Sequence, residues 1–151
     1  MKRFWTFVIS FVPWLLSGFI FSSNFGYYKD INKPFFALPS QFFSIVWFTL
    51  YFLIAISITI LVCNNYIKYE KDYKSSLIFN YIFNQLYLVL FFYFKSPFLG
   101  FVDCVLIFIT SLFLYYESKE LNNLSSKFLI PYTIFSGYAV VLSLAIYFMN
   151  L

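Results

Sequence analysis

The sequence predicts an all-α integral membrane protein, a bundle of five transmembrane helices, on three observations. Of its 151 residues, 62% are hydrophobic and only 11% are charged. A soluble domain of this size lacks the interior to hide so much apolar side chain. The apolar residues fall in five runs, at 4–23, 41–63, 75–94, 98–116 and 128–149, each near the roughly 20 residues that cross a hydrocarbon core. The connections between them leave no room for a soluble unit, so residues 1–151 read as a single membrane domain.

The first run follows Lys2 and Arg3, as a signal peptide would. It is longer than a signal core, contains Pro13, Trp14 and Gly18, and has no small-residue cleavage site after it, so it reads as a retained helix. Residues 24–40 are polar and Pro-containing, too long for a turn, and form an extended loop. The second run carries Trp47 about two helical turns below its entrance. The third holds three carboxamides, Asn80, Asn84 and Gln85. Lys95, Ser96 and Pro97 turn tightly into the fourth, which contains the one carboxylate inside an apolar run, Asp103. A charged connection at 117–127 leads to the fifth run, where Pro131 is expected in the first helical turn, a position that needs no N–H. No internal repeat is expected.

Charge sets the orientation. The N-terminus and the second and fourth connections hold Lys2, Arg3, Lys68, Lys71, Lys74, Lys119 and Lys127, whereas the other side holds Lys29, Lys33 and Lys95. The positive-inside rule therefore predicts a cytoplasmic N-terminus and an outer C-terminus, with the long loop on the outer face. The net charge of +4 does not point to nucleic acid, because the cations are scattered between apolar runs rather than clustered. Cys63 and Cys104 lack metal-type spacing and there is no His, so neither a metal site nor a disulfide framework is expected.

The intramembrane polar residues are the first site candidates. A carboxylate in hydrocarbon costs at least a few kcal/mol unless it is paired, protonated or hydrated, which singles out Asp103. Asn80 and Asn84 share a helix face, with Gln85 about 100° further round, and this face suits either helix gluing or a polar cavity wall. Trp47 lies well inside its run, where a packed indole and a ligand contact are equally compatible with its position. Trp5 and Trp14 read as structural, interface-type tryptophans. Gly100, Gly137 and Ala139 are small enough for close helix contact.

Several of these residues occur in a recognisable order. Tyr27-Tyr28, Lys33-Pro34, Pro39, Phe42, Trp47 and Leu50-Tyr51, then Asn80, Asn84 and Gln85, then Asp103, then Pro131-Tyr132 and Asn150, together resemble the TspO/MBR family of tryptophan-rich sensory or translocator proteins. The resemblance covers nearly the whole chain. It implies a five-helix bundle, commonly dimeric, with a pocket beneath the first loop that binds porphyrins such as protoporphyrin IX and other flat hydrophobic aromatic ligands. Carried over by position, Tyr28 and Pro34 would belong to the lid, Trp47 to the aromatic wall, Asn80, Asn84, Gln85 and Asp103 to the polar wall, and Phe135 would stand opposite Trp47.

The departures from the family pattern bear on activity. Phe135 occupies a position where relatives usually carry a second pocket Trp, which weakens the expectation of light-dependent oxidative porphyrin breakdown more than that of binding. If that chemistry occurs, Trp47 is its expected catalytic group, and no conventional acid, base or nucleophile constellation is present. Tyr27 and Leu38 replace a loop Trp and Pro, implying a less rigid lid. Sterol contact through the weak motif that needs a cation after a late Tyr is not expected, since Phe148 to Leu151 follow Tyr147. The resemblance thus implies a porphyrin-binding receptor or sensor, with porphyrin breakdown or solute transport as alternatives. The porphyrin would be ligand or substrate rather than a permanently held cofactor. The expected partners are the lipid bilayer, the ligand and a second copy of the chain, in a bacterial inner membrane.

Overall fold

The structure, a computed structural model, describes residues 1–16, 18, 26–66 and 70–151. The end of the expected first span, the start of the long loop and Lys68 lie outside the described residues. Within them the regular elements are all helical: α1 (Lys2–Phe11), a short α2 (Tyr27–Asp30), α3 (Ser40–Cys63), α4 (Lys71–Tyr87), α5 (Pro97–Leu121) and α6 (Asn123–Met149). Four helical stretches among the described residues are long and apolar enough to cross a membrane, namely α3, α4 with its continuation to Tyr93, α5 and α6. The expected fifth span is described only as α1 and the turn after it.

Pro13 explains how α1 ends. It has no N–H for the preceding turn, and the chain tightens into a 3-10 turn over Val12–Leu15. Trp14 in that turn is buried, and Tyr81 from α4 donates to the Pro13 carbonyl at 3.2 Å. Along its second half α1 lies on α3, with Phe7 edge-on to Phe52 at 5.1 Å and Phe11 edge-on to Phe48 at 5.3 Å. Helix packing then runs α1 to α3, α3 to α6, α6 to α5 and α5 to α4, and the 3-10 turn meets α4 to close the ring.

The α5–α6 pair is held by small polar side chains. Cys104 meets Ser143 at 3.1 Å, Ser111 meets Ser136 at 3.0 Å, and Ser118 donates to Ser125 at 2.9 Å. Ser125 also meets Ser57 of α3 at 2.7 Å. Small residues let helix backbones approach, and each hydroxyl finds a partner where no water is available. Gly100 is used the same way: a Cβ there would lie 2.6 Å from the Phe91 ring. Gly137 faces Phe108, and Ala139 lines the interior.

Three local features differ from the sequence expectations. The 117–127 connection is almost entirely helical, with Asn122 alone extended between α5 and α6 and its side chain accepting from Ser125 N at 3.0 Å. Charge marks where the chain leaves hydrocarbon, not where it leaves the helix. Because α6 starts at Asn123, Pro131 lies in its interior rather than its first turn. The proline is exposed on the surface of the bundle. Finally, α4 continues past Tyr87 as a π-helical segment over Leu88–Tyr93. That segment stops where Lys95 takes a left-handed φ of 51° and Ser96 caps α5 by accepting from Leu99 N.

Candidate functional site: a cavity beneath the first loop

The ring of helices encloses a cavity of about 780 Å³ between α3 and α4. Its wall is aromatic. Trp47 and Tyr51 lie one turn apart on α3, with ring centroids 5.6 Å apart. Trp14 leans on the other side of Tyr51 at 5.3 Å. Phe43, Phe48, Tyr87 and Phe92 extend the lining, and the π-helical segment contributes Leu88 and Phe92. Segments of this kind recur at functional sites because they re-aim side chains without ending the helix. Ile107, Ser136 and Ala139 form the face opposite.

Behind the aromatic wall runs a polar network. Tyr51 donates to Asn84 Oδ1 at 3.3 Å, and Asn84 Nδ2 donates to the Asn80 carbonyl and to the Tyr132 hydroxyl, both at 2.8 Å. Tyr132 donates to Asn80 Oδ1 at 2.8 Å, and Asn80 Nδ2 donates to Thr110 at 2.8 Å and to the Ile107 carbonyl at 3.2 Å. One connected set therefore ties α3, α4, α5 and α6 at the level of the cavity. Asn84 reaches the lining, whereas Asn80 is fully buried behind it.

The loop over the cavity is pinned at several points. Lys33 Nζ donates to the carbonyls of Tyr28, Ile31 and Lys29 at 2.6, 2.8 and 3.3 Å, and sits 5.0 Å from the Tyr28 ring centroid. A cation over the last carbonyls of α2 satisfies groups that a helix end leaves open. Asn150 accepts from Asn32 N at 3.0 Å and donates to the Asn32 carbonyl at 2.9 Å, locking the loop to the end of α6. Tyr138 donates to the Phe36 carbonyl and Tyr27 to the Lys95 carbonyl. Tyr28, buried, donates to the Leu38 carbonyl at 3.1 Å. Burial, with a smaller effect of Tyr138, pushes its phenol up to about 12, so it stays a neutral donor. Side-chain hydrogen bonds thus join the described part of the loop to α6 and to the turn at Lys95.

The sequence model of one family, TspO/MBR, matches residues 5–149. The chain belongs to the TspO/MBR family. It is 35% identical to the tryptophan-rich protein TspO of Bacillus cereus over 144 residues, 95% of this chain and 94% of that protein. It is 31% identical to the TspO of Archaeoglobus fulgidus over 82% of this chain and 80% of that one. A Bacillus subtilis relative described as the uncharacterized membrane protein YtaB is 30% identical over 96% of this chain and 94% of its own length. As a TspO/MBR protein with several apolar helices, the chain is a multi-pass membrane protein in a lipid bilayer.

Within this TspO/MBR chain the residues singled out from sequence fall into distinct places. Tyr28, Trp47 and Asn84 line the main cavity. Pro34 lines a smaller one of about 510 Å³ under the loop. Phe135 stands edge-on to Trp47 at 5.5 Å and also touches Phe43, bracing the wall from outside the cavity lining. Gln85 is half-buried on α4 and is not among the lining residues. Asp103 is 2% exposed, adjacent to the lining residue Cys104, and its Oδ2 has no hydrogen-bond partner among the described residues. Sequence reasoning missed Trp14, which lies far along the chain from its cavity neighbours. It also passed over Tyr51 as a wall residue, although its i+4 spacing from Trp47 placed it on the same face.

Proposed function

We propose that the protein is a membrane receptor or sensor that binds porphyrins and other flat hydrophobic aromatic molecules in the cavity beneath the first loop. The observation that carries this reading is the cavity itself: about 780 Å³, walled by Trp14, Trp47 and Tyr51 with Asn84 at its polar edge. Ligand sites are mostly apolar concavities of this size range with a few placed polar groups, and aromatic faces suit a planar ligand. The buried Asp103 carboxyl next to the lining adds support, since a buried carboxyl with an oxygen unpartnered among the described residues, here Oδ2, is costly to keep in hydrocarbon. Family membership and the asymmetry of the cations support five spans, a cytoplasmic N-terminus, a location in the bacterial inner membrane and assembly as a homodimer.

The test is a dark titration of the detergent-solubilised protein with protoporphyrin IX, followed by the porphyrin absorption spectrum. A saturable shift that reaches its plateau near one porphyrin per chain is expected. A linear change matching empty micelles would contradict binding.

A second reading, light-driven porphyrin breakdown, gains from one observation. Phe135 replaces one expected indole, but Trp14 brings another to the cavity, with Tyr51 between it and Trp47 at 5.3 and 5.6 Å. Illuminating the complex distinguishes the readings. Bleaching no faster than in detergent alone leaves binding as the activity.

A further inference from the structure

The main cavity and the smaller one under the loop share Tyr28, Lys29 and Ser40. Among the described lining residues of the main cavity, Lys29 is the one charged side chain; in the smaller cavity it is joined by Lys33. Neither lining includes an Asp or Glu among the described residues.

The two lysines have different tasks. Lys33 is a strut, its ammonium held by three carbonyls and the face of Tyr28. Lys29 is exposed, one helical turn earlier on α2, and its ammonium takes no part in that cradle. Its backbone is nevertheless held in place, because its carbonyl accepts from Lys33. Ser40 and Gln41, the first turn of α3, line the same rim, and the positive end of a helix dipole adds to the local potential.

A cation at the mouth of a mostly apolar chamber discriminates between ligands. The apolar body of any flat ligand gains the same burial inside. A carboxylate on its outer edge also gains the attraction of Lys29, at a rim where water is partly displaced and screening is reduced. A neutral ester of the same shape gains nothing there.

We propose that Lys29 is the specificity-determining residue of this site, and that it selects flat apolar ligands carrying a carboxylate on the edge that faces the loop. The inference rests on the binding function proposed above. It orients the ligand, with the ring system between Trp14, Trp47 and Tyr51 and the acidic edge outward beneath α2.

The test compares protoporphyrin IX with its dimethyl ester, titrated in the dark in nonionic detergent against wild type, Lys29→Gln and Lys29→Glu. Exposed charge pairs are worth up to about 1 kcal/mol, so the free acid should lose about fivefold in affinity in Lys29→Gln and more in Lys29→Glu. Affinity for the ester should move by less than about twofold, which also reports that the variants keep an intact cavity. Raising the salt to 0.5 M should shrink the difference between wild type and Lys29→Gln for the free acid, because the Debye length falls to about 4 Å. Unchanged affinity of Lys29→Glu for the free acid, with the ester still saturating, would overturn the role of Lys29 and leave the binding reading intact. Failure of both porphyrins to saturate wild type would overturn both.

Discussion

The α5–α6 pair and the α3–α4 wall solve the problem of packing in a membrane in opposite ways. Between α5 and α6, serines and Cys104 sit face to face at 2.9 to 3.1 Å, and no described cavity opens between them. The α3–α4 wall is instead built of large rings, Trp47 and Tyr51 on α3 with Trp14 from the 3-10 turn against them at centroid distances of 5.6 and 5.3 Å, and a chamber of about 780 Å³ lies between these helices. In lipid there is little hydrophobic force between helices, so close association depends on small residues and hydrogen bonds. Where those are present the bundle is solid. Where aromatic rings replace them it opens, and the polar network through Asn80, Asn84 and Tyr132 holds the opening to a fixed width.

This contrast can be broken from either side. The largest effect should come from Gly100→Leu, whose added carbons would overlap the buried Phe91 ring. Overpacking of this kind costs about 3 kcal/mol, read as a lower midpoint in unfolding by denaturing detergent. Asn80→Leu should come next. It strands the Tyr132 hydroxyl donor and removes one partner each from Thr110 and Asn84, a loss of about 1 to 2 kcal/mol. Porphyrin affinity of the protein that remains folded should fall as well, because Asn80 anchors the network that sets the width of the chamber. Ser136→Ala, which removes its bond to Ser111 across the α5–α6 seam, should cost about 0.6 kcal/mol, an average value for a hydrogen bond between membrane helices. Trp47→Phe should be smaller still in stability, under about 0.5 kcal/mol, because an aromatic ring continues to face Tyr51 and Phe135. A Trp47→Phe protein as unstable as Gly100→Leu would show that the wall is packed core rather than a chamber.

Much of this was legible in the sequence, and the omissions have physical causes. Runs of apolar residues mark what hydrocarbon surrounds, so they located α3, α4, α5 and α6 well and their charged ends poorly. The pairing of Asn80 with Asn84 follows from helical spacing alone. The seven-residue recurrence of Cys104, Ser111 and Ser118, answered by Ser136 and Ser143, was present in the sequence and marks the α5–α6 seam. A serine hydroxyl can bond a carbonyl of its own helix, as Ser111 and Ser136 do, so it is cheap to bury and its presence alone does not demand a partner helix as a carboxamide or carboxylate does. The π-helical segment over Leu88–Tyr93 leaves no mark in a run of apolar residues. The second indole of the chamber arrives through the break at Pro13, a tertiary event that no local spacing encodes. Lys29 entered the sequence reading as an orientation signal, and Lys33 as that and as part of the Lys33-Pro34 pair; only their geometry separates a strut from a rim cation.

The central claim is that Trp14 and Trp47 wall one ligand chamber, and tryptophan fluorescence tests it most directly. Protoporphyrin IX is titrated in the dark against wild type, Trp14→Phe, Trp47→Phe and the double variant, in which the exposed Trp5 remains as the reference. Each single variant should lose part of the saturable quenching and the double variant nearly all of it. Saturable quenching that survives undiminished in the double variant would place the porphyrin elsewhere on the protein and contradict the account.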